Sequence, residues 1–185
     1  MLPHSGPVVA FLALLALAGV QKLIDPNPTA GALRASGLPG SRGIVTLLGA
    51  GEVVIGVTGI LIGGRIPAML AVGLYAGFAV FVLNALMKRL PIRSCGCLGA
   101  ADAPPTSIHL LVNLIAIGFL TAAVFVPVDM IAGFSEFGPA GVAAFILMTG
   151  ASVFLLYGAL AVLPLSLASR RETPVTLSHK GSVST

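Results

Sequence analysis

Charge is what this chain has least of. Only 9% of its 185 residues are charged while 57% are hydrophobic, and there is no tryptophan. So few charges cannot coat the core that so much apolar surface would form, which excludes a soluble domain. Acidic residues are scarcer still: six Asp and Glu against ten Lys and Arg, for a net charge of +4. That excess does not indicate nucleic acid. The basic residues are scattered between apolar runs rather than grouped on one face, as a phosphate-binding surface requires. In a chain of this composition they read as topology determinants and headgroup contacts, with the lipid bilayer as the partner. No internal repeat appears at any period.

Five apolar runs remain once these classes are removed: Pro7–Ile24, Gly43–Gly63, Ile66–Met87, Ser107–Pro127 and Pro139–Leu167. Each approaches or exceeds the roughly 20 residues that carry a helix across about 30 Å of hydrocarbon. A spanning segment must satisfy its own backbone, so each is predicted to be helical. Most prolines fall near the ends of these runs or between them; Pro164 lies inside the last and marks where it stops. The expected fold is therefore all-α, a multi-pass transmembrane helical bundle over 1–167. The segment 168–185, short, polar and Ser/Thr-rich, reads as a disordered tail. The first run is not read as a signal peptide. Its leader "MLPHSG" has no Lys or Arg, and Lys22 follows the run, which reverses a signal peptide's charge order.

Alternation of five spans puts Lys22, Arg34, Arg42, Lys88, Arg89, Arg93, Arg170, Arg171 and Lys180 on one side of the membrane, and Arg65 alone on the other. The positive-inside rule makes the crowded side cytoplasmic, with the N-terminus outside and the tail cytoplasmic. Polar residues within or beside the spans gather toward that same side. Glu52 lies about nine residues into the second run. A carboxylate there costs several kcal/mol unless it is paired, protonated or facing a wet cavity. Gly56, Gly59 and Gly63 share its helical face, which should pack on other helices. Gly73, Gly77 and Asn84 form a second stripe. His109 and Asn113 are one turn apart, just after a predicted cap at Thr106 or Ser107. Lys22, Glu52, Asn84, His109 and Asn113 thus converge with Cys95 and Cys97 on one mouth of the bundle. Each also has a plainer reading. Lys22 can snorkel to headgroups, Glu52 can anchor helices, His109 can be an interfacial polar group, and Asn84 and Asn113 can be interhelical glue.

The two cysteines sit in "RSCGCLG". Thiols separated by one glycine can close a small disulfide ring or share a soft metal ion. A strained or exposed disulfide exchanges readily, and closing so short a loop removes little chain entropy, so the pair suits catalysis better than stapling. Lys88, Arg89 and Arg93 favour the thiolate, and His109 could act as a base or stabilise it. The alternative is copper(I) or zinc held by Cys95, Cys97 and His109, without an evident fourth ligand.

"GVQKLIDP" closing the first run, "GAGEVVIGV" around Glu52, and "CGCLG" followed by "SIHLLVN" resemble the MauE branch of the DoxX-like membrane proteins. The resemblance covers about residues 7–127; the fifth span, about 139–167, and the tail lie outside it. It implies a DoxX-like four-helix core with the fifth helix added, and a redox-associated role. The namesake assists maturation of methylamine dehydrogenase, a periplasmic enzyme rich in disulfides, beside a thioredoxin-like partner. Lys22, Glu52, Cys95, Cys97, Ser107, His109 and Asn113 match the family pattern. Nothing in the chain points to methylamine, so only the redox role carries over.

The resulting expectation is a thiol–disulfide redox protein. Cys95 and Cys97 would exchange electrons with a thioredoxin-like protein or a disulfide-bearing client. His109 would tune a thiol, and Glu52 would move a proton or pair with Lys22. No cofactor is firmly implied; a membrane quinone is a candidate acceptor without a motif of its own. The alternatives are a copper- or zinc-binding membrane protein and a non-catalytic assembly factor. The resemblance implies extracytoplasmic clients, whereas the charge bias puts the cysteines inside. Either Lys22, Arg89 and Arg93 line a cleft rather than set topology, or electrons cross the membrane.

Overall fold

The computed structural model describes residues 5–90, 92, 104–128 and 138–161. Among them every regular element is an α-helix: α1 (Ser5–Ile24), α2 (Asn27–Ala35), α3 (Arg42–Leu61), α4 (Arg65–Met87), α5 (Ser107–Phe125) and α6 (Pro139–Ala161). All but α2 are long and apolar enough to cross a bilayer. The predicted multi-pass helical bundle is the fold. Cys95, Cys97, Pro164 and the tail 168–185 lie outside the described residues.

The loop between the first two spans is more than a proline-bearing connection, because it contains α2. Pro26 and Pro28 occupy the start of this helix, where a missing N–H costs nothing. The Asp25 carboxylate accepts from the Asn27 backbone N–H (3.0 Å), satisfying a donor that the helix leaves open. At the far end, Leu38 N–H donates to Leu33 C=O and Gly37 N–H to Arg34 C=O, a Schellman closure that needs positive φ at Gly37 (78°). Arg34 Nη1 donates to Gly40 C=O and Arg42 Nε to Asn27 Oδ1. Two of the arginines counted as topology charges therefore also lace this loop to itself.

α1 is the central helix, with Val8, Val9, Ala10, Phe11, Leu12, Leu14 and Leu15 all buried. Consecutive buried residues on a helix mean neighbours on every side. Its tightest partner is α3, which buries a single stripe of Val45, Gly49, Glu52, Gly56 and Gly59. A Cβ added at Gly56 would lie 2.6 Å from Leu12 C=O, and one at Gly19 would lie 2.8 Å from the Glu52 Cβ. The two backbones approach this closely because a glycine stands on one helix or the other at each contact, Gly19 and Gly49 on both, which is how spanning helices gain packing energy in lipid. Gly56 and Gly59 thus pack as the stripe predicted. Gly63 does not belong to it: it sits past the end of α3 at φ 71° and turns the chain toward α4.

α4 and α5 form the second close pair. The buried stripe of α4 runs through Ala68, Ala71, Tyr75, Ala79 and Val82, and that of α5 through Val112, Ala116, Leu120 and Ala123. Gly73 and Gly77, read as a packing stripe, are instead exposed, and a Cβ at either would meet nothing within 4 Å. They sit on the face of α4 opposite its alanine seam. The fifth span joins the bundle through Leu160 and Ala161, both buried, and lies against α1 and α5.

Candidate functional site

The site is organised by an ion pair. Lys22 Nζ lies 2.9 Å from Glu52 Oε2, and both side chains are 0% exposed. Helical side chains tilt toward their own N-terminus. Lys22, near the end of α1, therefore reaches back into the bundle, and Glu52, on the antiparallel α3, leans down to meet it. Gly19 and Gly49 make this possible. A Cβ at Gly49 would sit 3.0 Å from the Lys22 Cβ, so any larger residue would push the two helices apart. Lys22 is consequently neither a snorkelling residue nor a loop charge, and it drops out of the topology count. The pairing of Lys22 with Glu52 is direct.

Two buried charges in hydrocarbon are each expensive, and their attraction offsets the cost only when geometry is good and the remaining lone pairs are satisfied. Here the second oxygen is not satisfied. Among the described residues Glu52 Oε1 has no hydrogen-bond partner. A group left in that condition marks either a functional demand or an unseen partner.

The Lys22 ammonium also lies 5.3 Å from the centre of the Phe78 ring, a cation–π contact that further spreads its charge. Phe78 is the hinge of the site. On one side it meets Lys22; on the other it lines a small cavity with His109, Asn113 and Tyr75. Tyr75 packs edge-on to Phe78 (6.3 Å, 87°) and donates its hydroxyl to Phe11 C=O at 2.8 Å. Sequence reasoning missed both aromatics. Tyr75 carried a signal, since a phenol in an apolar span needs a hydrogen-bond partner. Phe78 carried none, being one phenylalanine among nine.

His109 and Asn113 are buried where α5 begins. Of the two caps anticipated, Thr106 rather than Ser107 is the N-cap of α5. The Thr106 N–H donates to His109 Nδ1 (3.3 Å), with the Thr106 hydroxyl 2.9 Å from the same nitrogen. This is a capping box with histidine in the place usually held by Glu or Gln. Both contacts fall on Nδ1, so the cap ties this edge of the ring to Thr106. Asn113 Nδ2 donates to His109 C=O at 2.8 Å, which holds the first turns of α5.

The structure brings Lys22 to Glu52 and His109 to Asn113, with Phe78 between the two pairs. Ser107 is exposed at the first residue of α5, and Asn84 is half-buried three residues before the end of α4. Cys95 and Cys97 belong to the segment connecting α4 to α5, outside the described residues. Among the described residues no three His, Cys, Asp or Glu side chains gather as metal ligands.

No curated protein and no solved structure matches this chain. One family model does, that of "Methylamine utilisation protein MauE", over residues 5–129. The match runs from the start of α1 through the end of α5 and includes Lys22, Glu52, Phe78, both cysteines, His109 and Asn113. With well over half the chain matched, this five-span membrane protein belongs to the MauE family.

Proposed function

We propose that the chain is an integral-membrane thiol–disulfide redox protein whose working groups are Cys95 and Cys97. The observation that supports this most is the polar site buried inside the family-matched bundle. Among the described residues it holds a Glu52 carboxylate oxygen without a hydrogen-bond partner and an imidazole tied to the cap of α5. It lies at the end of α5 onto which the cysteine segment feeds.

In the proposed cycle one thiolate attacks a sulfur of a partner's disulfide, forming a mixed disulfide and expelling one partner thiolate. The second cysteine then attacks its neighbour's sulfur and expels the remaining partner thiolate. The partner's disulfide is reduced by two electrons and the Cys95–Cys97 pair is oxidised to a disulfide. His109 would stabilise a thiolate or deprotonate a thiol. The partner is a thioredoxin-like protein or a disulfide-bearing client. The N-terminus is taken as outside and the tail as cytoplasmic, from the basic residues that remain after Lys22 is withdrawn.

Differential thiol labelling in intact cells tests the reading. A membrane-impermeant maleimide and a permeant one would be compared before and after mild reduction. Reagent uptake that appears only after reduction, and is lost in Cys95→Ser and Cys97→Ser, is the expected result; impermeant labelling would set the pair outside and permeant labelling alone inside. Free thiols in both compartments' assays, together with full partner redox activity in the double serine variant, would sink it.

A further inference from the structure

Between α1, α2, α3 and α4 lies a cavity of about 230 Å³, separate from the small space around His109. Leu33 and Leu38 bound it on the α2 side, Leu48 on α3, and Gly73, Gly77 and Phe81 line it along α4. Gly73 and Gly77 are exposed on the span, with open space where a Cβ would be, so the cavity opens sideways onto lipid. Lys22 borders it but offers no ligand contact, because its charge is paired with Glu52 and its side chain is 0% exposed. The same stripe of α4 continues from Phe81 through half-buried Asn84 to exposed Lys88. α2 packs over this end of α4, where Ala32, Ala85 and Ile92 are buried together. The apolar groove therefore runs from the middle of the span to a basic rim of Arg34 on α2 and Lys88 and Arg89 after α4, all three exposed.

We propose that this groove binds one anionic phospholipid, with an acyl chain lying along α4 from Phe81 to Gly73 and the phosphate among Arg34, Lys88 and Arg89. Volume and shape select the chain. A cavity of roughly 150 Å³ holds the six carbons of benzene, so 230 Å³ takes about nine carbons. The α4 wall from Gly73 to Phe81 is about 12 Å long at 1.5 Å per residue, which spreads those carbons in single file. A space of that width is far too narrow for a partner's helix, about 10 Å across. Charge selects the head group. Arg34 and Arg42 donate to neutral groups, Gly40 C=O and Asn27 Oδ1, and neither guanidinium is paired with a carboxylate among the described residues. Besides the buried Glu52, Asp25 is the one carboxylate among the described residues at this end. Basic residues at the membrane surface attract anionic lipids, and a pocket between spanning helices beneath them gives one such lipid a fixed seat. Asn84 lies between chain and rim, where an ester carbonyl would stand and its amide can donate. This assignment concerns binding alone and does not depend on the chemistry of Cys95 and Cys97.

The full-length protein in detergent micelles would be titrated with phosphatidylglycerol and, separately, with phosphatidylcholine of the same chains, and retained lipid counted by native mass spectrometry. One phosphatidylglycerol should be held about tenfold or more tighter than phosphatidylcholine. Lys88→Gln with Arg89→Gln removes two rim charges without touching the α2 loop and should weaken phosphatidylglycerol binding by about tenfold or more. Gly77→Leu fills the mouth without meeting a packed neighbour and should weaken both lipids by a similar factor with melting unchanged. Gly118→Leu, on exposed α5 surface, should bind as the parent does. Glycerol phosphate without acyl chains should not displace the lipid. Equal affinity for the two lipids would overturn the proposal, as would several phosphatidylglycerols bound alike with no tighter first one. So would unchanged affinity in Gly77→Leu, or displacement by glycerol phosphate, which would make the rim a site for free phosphates.

Discussion

Lys22 and Glu52 are thirty residues apart in sequence, yet their charged atoms lie 2.9 Å apart with no solvent exposure on either side chain. The contact joins α1 to α3 at the level where Gly19 and Gly49 let the backbones meet. Removing one partner leaves a lone charge in a medium that cannot solvate it. Lys22→Met or Glu52→Met alone should lower stability by about 3–5 kcal/mol, and the double variant should recover most of the loss. Reversible unfolding in mixed micelles measures this. A double variant as unstable as the worse single one would mean that packing, not charge, holds the pair.

The crossing of α1 and α3 has little slack. Gly56→Ala places a methyl 2.6 Å from Leu12 C=O and 2.9 Å from the Ala16 Cβ, and should cost about 1–3 kcal/mol. Gly118→Ala meets nothing within 4 Å and should be neutral or stabilising by up to about 1 kcal/mol, because alanine is the better helix former. Melting temperatures of the two proteins in one detergent distinguish the sites.

The capping box separates a structural His109 from a chemical one. Thr106→Ala should lose about 1 kcal/mol through the first turn of α5, and His109→Ala about 2–4 kcal/mol, because it also empties a buried site. His109→Gln keeps an acceptor for the Thr106 N–H and should retain the stability. If thiol exchange also survives in His109→Gln, the imidazole serves only as a cap. A loss of exchange at constant stability assigns it to the thiolate.

Two helices end in the same way with different residues. α2 closes on Gly37 at φ 78°, whereas α4 closes on Arg89 at φ 48°, the one non-glycine residue at positive φ among those described. Gly37→Ala should destabilise by about 1 kcal/mol, since a Cβ is disfavoured there. Arg89→Gly should be neutral or slightly stabilising, as relief of backbone strain offsets the added freedom of the unfolded chain. Parallel unfolding curves of both variants check the contrast.

Hydrocarbon leaves a chain few options, and so the class of this protein was legible in its residues. Apolar runs long enough to cross a bilayer, with no water to satisfy a backbone, permit only helices. That fixed four spans within two residues of their bounds and the start of the fifth, whose expected end at Leu167 lies outside the described residues, and it marked Glu52 as a group in need of a partner. The cap at Thr106 was legible for a similar local reason. What a single chain cannot show is which lateral faces meet, because lipid is as apolar as the partners and the pattern carries no inside or outside. Gly56 and Gly77 look alike in sequence; only the packed bundle makes one a contact point and the other the mouth of a cavity. The same holds for Lys22, whose position at the end of a run suggested a headgroup contact. Its burial follows from the antiparallel placement of α1 on α3, which turns a long flexible side chain inward. Phe78 gained its role only because α4 swings it between two polar pairs that the sequence had listed side by side.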